Sequence, residues 1–143
     1  MKTVVRPLLE QDLPQVALLI EQLGYPQAEE FFLPRLRKLS ATDQHGLFAA
    51  VDGERVLGFL HLKREQSFVS AEKAEIKALV IDEIHRGKGV GSDLVNFAKT
   101  WAKNVGLDTI LVRTNILRDG AHRFYEREGF QLKKTSHLFS VKI

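Results

Sequence analysis

The chain of 143 residues contains no cysteine. Disulfides, thiolate metal ligands and an acyl-enzyme on a thiol nucleophile are therefore excluded. Its five histidines, His45, His61, His85, His122 and His137, form no H-x-x-x-H pair or other metal-ligand spacing, so no metal site is expected. No apolar run approaches the ~20 residues that a bilayer-spanning helix needs, so no membrane partner is expected. There is no block of lysine and arginine and no basic–aromatic interleaving, which argues against a nucleic-acid surface. Met1-Lys2-Thr3 runs straight into Val4-Val5 without the apolar core of a secretory signal, so no leader is expected. With the lack of cysteine, this leads us to expect a cytoplasmic protein. Repeats, low-complexity tracts and linkers are absent as well.

What is present is an ordinary globular composition, 44% hydrophobic and 27% charged, in a length that suits a single domain over residues 1–143. The net charge of +3 is unevenly placed. Residues 1–70 carry 8 basic and 9 acidic side chains, and residues 71–143 carry 13 and 9.

Hydrophobic periodicity predicts the elements in turn. Residues 3–6 read as a short strand ended by Pro7. A helix follows over 12–23, with Asp12 as N-cap, Gln15 as its box partner and Gly24 closing it. A second helix over 28–40 is interrupted by Pro34, which requires a kink or two short pieces. Strands over 47–51 and 55–63 flank the hairpin signal Asp52-Gly53, and the second is apolar on both faces. A polar stretch over 66–73 leads to a fourth strand over 73–81. An amphipathic helix starts near Val90 and ends at Gly106, and a buried strand over 109–113 follows. That strand–helix–strand crossover makes strands four and five parallel. Asn115 opens a turn, Asp119 caps a short helix closed by Gly129, and 130–134 and 138–142 read as two closing strands. The expected fold is α/β with a mixed central sheet of about seven strands, in the order β-α-α-β-β-β-α-β-α-β-β.

The chemistry concentrates between the fourth strand and the long helix. Asp82-Glu-Ile-His-Arg86-Gly87-Lys88-Gly89-Val90-Gly91-Ser92 delivers a strand through a glycine turn into a helix N-terminus. Glycine permits φ > 0, exposed amides and the helix dipole favour an anion, and Arg86 and Lys88 add positive charge. The spacing G-x-G-x-G is neither the G-x-G-x-x-G of dinucleotide folds nor a Walker-type loop.

Read as Arg86-x-x-Gly89-x-Gly91, the turn resembles R/Q-x-x-G-x-G/A, the pyrophosphate loop of the GNAT N-acetyltransferases. About thirty residues later, Asn115 followed by Phe124-Tyr125-Glu126 and Gly129-Phe130 resembles a second motif of the same family. The resemblance is specific over residues 73–131 and otherwise covers only the order of elements. It implies a sheet splayed between strands four and five, with acetyl-coenzyme A as cosubstrate. Arg86, Gly87, Lys88, Gly89, Val90 and Gly91 would hold the pyrophosphate, with Ser92 beside them. The backbone of Leu79, Val80 and Ile81 would pair with the pantetheine arm, which Asn115 would also contact. An amide near Leu79 or Val80 would stabilise the oxyanion.

An alkyl amine has a pKa near ~10, so acetyl transfer at neutral pH needs a base. The resemblance implies that Glu75 is that base, acting through water, with Glu72 a weaker candidate, and that Tyr125 protonates the departing thiolate. Against these roles stand plainer readings, of Glu75 as a solvated strand-end residue, Tyr125 as packing and Asn115 as a turn residue. His61 reads as a packed strand histidine or as one facing the acceptor cleft. Tyr25, Phe31 and Phe32 fit pocket lining or core equally. The implied function is direct acetyl transfer to a primary amine, on a small molecule or a peptide, in a ternary complex, with a homodimer as the common assembly. The alternative is a non-catalytic acyl-coenzyme-A-binding sensor or partner domain. The acceptor itself has no readable signature.

Overall fold

Val4–Pro7 (β1), His45–Asp52 (β2), Arg55–Glu65 (β3), Lys73–Ile81 (β4) and Ile110–Val112 (β5) form one sheet in chain order, in a computed structural model that describes residues 2–143. The first three pairings are antiparallel, and β4 with β5 is parallel. The helices are Leu13–Leu23 (α1), Phe32–Ser40 (α2), Val90–Asn104 (α3) and Asp119–Arg127 (α4). The described chain forms two compact units, one ending at Val112 and one running Arg113–Ile143.

In the first unit the sheet is covered on both faces, as the apolar character of β3 on both sides predicts. Phe59 and Val80 pack with Val16 and Leu19 of α1. On the opposite face Phe48 stacks on Phe97 of α3 with ring centroids 4.6 Å apart. Leu57, Leu60 and Leu62 of β3 are fully buried, each burial contributing about 1.5–3 kcal/mol. At Gly58 an added Cβ would sit 3.0 Å from the Val80 carbonyl oxygen and 3.1 Å from Leu94 Cδ1, so glycine lets α3 lie close on the sheet.

Several local expectations are corrected. Asp12 makes no side-chain cap to α1. Its carboxylate instead takes a two-pronged ion pair from Arg6, at 2.7 and 2.9 Å, and the Leu9 N–H at 2.8 Å. Burial alone would push that carboxyl up, but these bonds outweigh it and hold it below the usual range. Gln15 bonds across to the hairpin, accepting from Val56 N–H at 2.8 Å and donating to the Glu54 carbonyl at 3.0 Å. The region of Pro34 resolves into two pieces, a 3-10 turn at Glu29–Phe31 and then α2. Pro34 thereby falls in the first turn of α2, where its missing N–H is no loss. Asp119 is the first residue of α4 rather than its cap.

The sheet has five strands, not seven, and the element order ends at α4. Residues 130–134 and 138–142 form no strands. Their alternating apolar pattern suits a strand, but a strand exists only where a neighbour takes its backbone hydrogen bonds, and the described residues provide none. Leu132, Leu138, Phe139, Val141 and Ile143 are each at least 84% exposed.

Candidate active site

The parallel ladder between β4 and β5 covers only Ala74, Glu75 and Ile76 on β4. From Ala78 to Ile81 the strand pairs with β3 alone. The register with β3 also shifts here: His61 faces Ala78 while Leu62 faces Ile76, leaving Lys77 as a bulged extra residue. Strands four and five therefore part at the bulge. Beyond it, the edge of β4 that turns away from β3 has no strand partner among the described residues, and an extended, amide-bearing ligand can complete it. Leu79, Val80 and Ile81 lie on this segment.

The same strand runs into the glycine turn. Gln22 of α1 steadies the entry, its Oε1 accepting from Glu83 N–H at 3.0 Å. Gly87 and Gly89 have φ of 78° and 86°. An added Cβ would meet nothing within 4 Å at either, so conformation rather than space requires glycine there. Gly89 is the N-cap of α3. On the far side of the turn Asp93 N–H donates to the Gly89 carbonyl at 3.0 Å. The amides of Val90, Gly91 and Ser92 precede it and point out of the helix end. Buried His85 lies behind the turn, Nδ1 3.4 Å from Lys88 Nζ and Nε2 3.4 Å from Arg55 Nη1. Arg86 Nε donates to the Ile81 carbonyl at 3.4 Å. Amides, dipole and these cations suit an anionic group such as a diphosphate.

Glu75 is only 3% exposed and is not a solvated strand end. Its Oε2 lies 3.7 Å from Lys77 Nζ. The register places Glu75 opposite Lys63 and Ala78 opposite His61. All four share one sheet face, and the bulge alone makes this possible for residues three apart on β4. On that face lies a cavity of about 280 Å³ between α1, α2 and the sheet, lined by Ile20, Tyr25, Phe32, Leu36, Leu47 and Ala78, with Arg35, His61 and Lys77. Tyr25 and Phe32 are thus pocket residues, while Phe31 lies outside, 3.9 Å from the Arg35 guanidinium carbon. His61 faces the cavity, and its Nε2 is 2.9 Å from His45 Nδ1. Burial first, then the neighbouring His45, Lys77 and Lys63, push its pKa down to about 4, so it is a neutral hydrogen-bonding group at physiological pH. Glu72 differs from Glu75. It accepts from Gln66 and from Arg64, the latter at 2.8 Å, and these bonds hold it below the ordinary carboxylate range. The role of Arg35 and Lys77 as pocket residues was not read from sequence. No local motif marks them, since each reads as an ordinary exposed cation.

Asn115 and Tyr125 belong to the second unit. Asn115 Oδ1 accepts from Leu117 N–H at 2.9 Å, and its carbonyl takes Arg118 N–H at 3.0 Å and faces His122 Nε2 at 2.8 Å. Tyr125 packs edge-on between Phe124 and Phe130, with centroids 5.1 and 5.3 Å away. Burial pushes its phenol up to about 12, so it carries its proton throughout the physiological range.

Among the described residues no three His, Asp or Glu side chains group to hold a metal, and no helix is long and apolar enough to cross a membrane. A family model described as "Acetyltransferase (GNAT) family" matches residues 13–130. The aminoalkylphosphonate N-acetyltransferase of Salmonella typhimurium is 34% identical over 126 residues, covering 87% of this chain and 77% of that protein. An uncharacterized N-acetyltransferase of Bacillus subtilis is 30% identical over 111 residues, covering 77% of each. Among solved structures, AAC(6')-Iy in complex with the bisubstrate analog CoA-S-monomethyl-acetylneamine superposes with a TM-score of 0.89 over the whole of both chains, at 16% identity.

Proposed function

The chain belongs to the GNAT acetyltransferase family and is an acetyl-coenzyme-A-dependent N-acetyltransferase; from there we propose that it transfers the acetyl group directly to a primary amine in a ternary complex. The observation that carries this reading is the parting of β4 from β5 at Lys77, which sets an unpaired strand edge between the buried carboxylate of Glu75 and the glycine turn. Residues 86–92 supply cations and amides for the pyrophosphate, and the backbone of 79–81 supplies partners for the pantetheine amides. The bound cosubstrate brings an activated thioester. Glu75, through water, takes the proton from the amine as its nitrogen bonds to the carbonyl carbon. An amide near Leu79 or Val80 receives the developing oxyanion. As the C–S bond breaks, Tyr125 gives its proton to the thiolate, and Asn115 contacts the cofactor arm; both roles rest on the family motif. The family match spans both compact units, which supports reading residues 1–143 as one catalytic domain. We place the protein in the cytoplasm, without nucleic-acid or membrane partners.

Thiol release from acetyl-coenzyme A across a panel of primary amines tests the reading. We expect release that requires both an amine and the cosubstrate. Coenzyme binding without release on any amine would instead identify a non-catalytic acyl-coenzyme-A-binding domain.

We also propose a homodimer, in which a second copy covers the exposed apolar side chains of residues 132–143. Light scattering should give twice the chain mass, and replacing Leu138 and Phe139 by lysine should halve it. A monomeric wild-type chain would rule this assembly out.

A further inference from the structure

We propose that the acceptor is a small amine that carries an anionic group on a short apolar body, with Arg35 receiving the anion. The inference rests on the acetyltransferase reading of the same site and deepens it. The relatives' names do not choose among acceptors, since they include an aminoalkylphosphonate and a streptothricin acetyltransferase. The cavity wall does. Among the described residues it contains no carboxylate, and Tyr25, Arg35, His61 and Lys77 are its only polar side chains. A polycationic acceptor would have to leave ammonium groups desolvated against this wall, without a counter-charge and facing two cations.

The two cations are not equivalent. Lys77, on the β4 bulge, is matched by Glu75. Arg35, on α2 across the cavity, stacks over the Phe31 ring, and among the described residues no carboxylate comes within ion-pair distance of it. Two positions on, Arg37 has turned away to pair with Glu10 at 3.0 Å. Arg35 is thus a guanidinium seated over an aromatic ring at the rim of an apolar cavity, and a planar fork of N–H donors fits a carboxylate, phosphate or phosphonate. Arg35 lies on α2, whereas Glu75 lies on β4, on the sheet face that carries the cavity. An acceptor that spans it places its amine at the base and its acidic group on α2, with leucine, valine and phenylalanine side chains between. Neutral His61 on the floor can bond a polar substituent without adding charge.

The test uses the full chain with saturating acetyl-coenzyme A, thiol detection and four probes of matched length: β-alanine, aminopropylphosphonate, the neutral amide of β-alanine and diaminopropane. We expect kcat/KM for one or both anionic probes to exceed that of the amide and the diamine about tenfold or more, the worth of one charge-assisted contact. Arg35→Ala should raise KM for the preferred anionic probe about tenfold and leave its kcat within about twofold, while Arg35→Lys recovers part of the loss. A preference for the amide or the diamine overturns the inference. So does turnover of none of the four, or an Arg35→Ala effect of equal size on charged and neutral probes, which would mark a merely structural role. The melting temperature separates the two readings. A chain that acetyl-coenzyme A stabilises but that shows no anion preference fails this inference alone, whereas one it does not stabilise fails the acetyltransferase reading as well.

Discussion

Glu75→Gln should lower kcat about a hundredfold or more at neutral pH, the usual contribution of a positioned general base, and leave the affinity for acetyl-coenzyme A unchanged. The substitution keeps the shape of a side chain that is 3% exposed, so packing is retained. What it removes is the proton acceptor on the cavity face of the sheet and the counter-charge of Lys77, 3.7 Å away. Lys77 is 42% exposed at its side chain and stays solvated, so the fold should lose little. The deficit should also depend on pH in a defined direction. At neutral pH the acceptor is almost wholly ammonium, and the base must act in every turnover. As pH rises toward the amine pKa of ~10 the free amine supplies itself, and the variant should close on the wild type. A pH–rate profile of the two proteins measures this. A constant ratio across pH, or no deficit, would remove Glu75 from the mechanism. Glu72→Gln is the control. That carboxylate is already committed to Arg64 and Gln66, and its loss should leave kcat in place.

Gly89→Glu should abolish the rise in melting temperature that acetyl-coenzyme A produces in the wild type. A ligand at a hundred times its Kd adds ~2.7 kcal/mol, which for a chain of this size is a rise of roughly 5–10 °C. Two effects act together in the variant. Gly89 has a φ of 86°, where a Cβ costs about 1–2 kcal/mol and pulls the turn out of shape. The carboxylate also brings negative charge to the amides and cations that would receive the pyrophosphate. Gly89→Ala separates the two, because it strains the turn without adding charge and should lose only part of the shift. No added Cβ meets another atom within 4 Å at this position, so both variants should fold, and their melting temperatures without ligand report the strain directly. An undiminished rise in Gly89→Glu would mean that the diphosphate binds elsewhere.

The parts legible in the amino-acid order are those in which one local rule acts alone. The strand 73–81 was bounded as it appears, because a β-rich run ends at a turn of charged residues and glycine. Gly89 at the head of α3 and Gly24 at the end of α1 were legible because only glycine is at ease with their positive φ. The hairpin at Asp52-Gly53 and the parallel crossover into β5 followed from turn chemistry and handedness. Misreadings arose where a remote partner competed with the local rule. Asp12 has the type and place of an N-cap, yet Arg6 claims its carboxylate. The tail has a strand's alternation, yet lacks a partner among the described residues.

The sequence by itself determined that a strand would deliver a cationic glycine turn to a helix N-terminus, since residue types in that order suffice for a site that binds through backbone amides. Only the tertiary structure decided which side chains meet beside it. Counting by twos along β4 puts Glu75 and Ala78 on opposite faces, and the bulge at Lys77 brings them onto one. The cavity between α1, α2 and the sheet is assembled from strands and helices far apart in the chain, so its lack of carboxylates and the open guanidinium of Arg35 are written in no single stretch. Amide chemistry is local and can be read from the order of residues, whereas the charge of a pocket depends on which distant side chains the packing brings together.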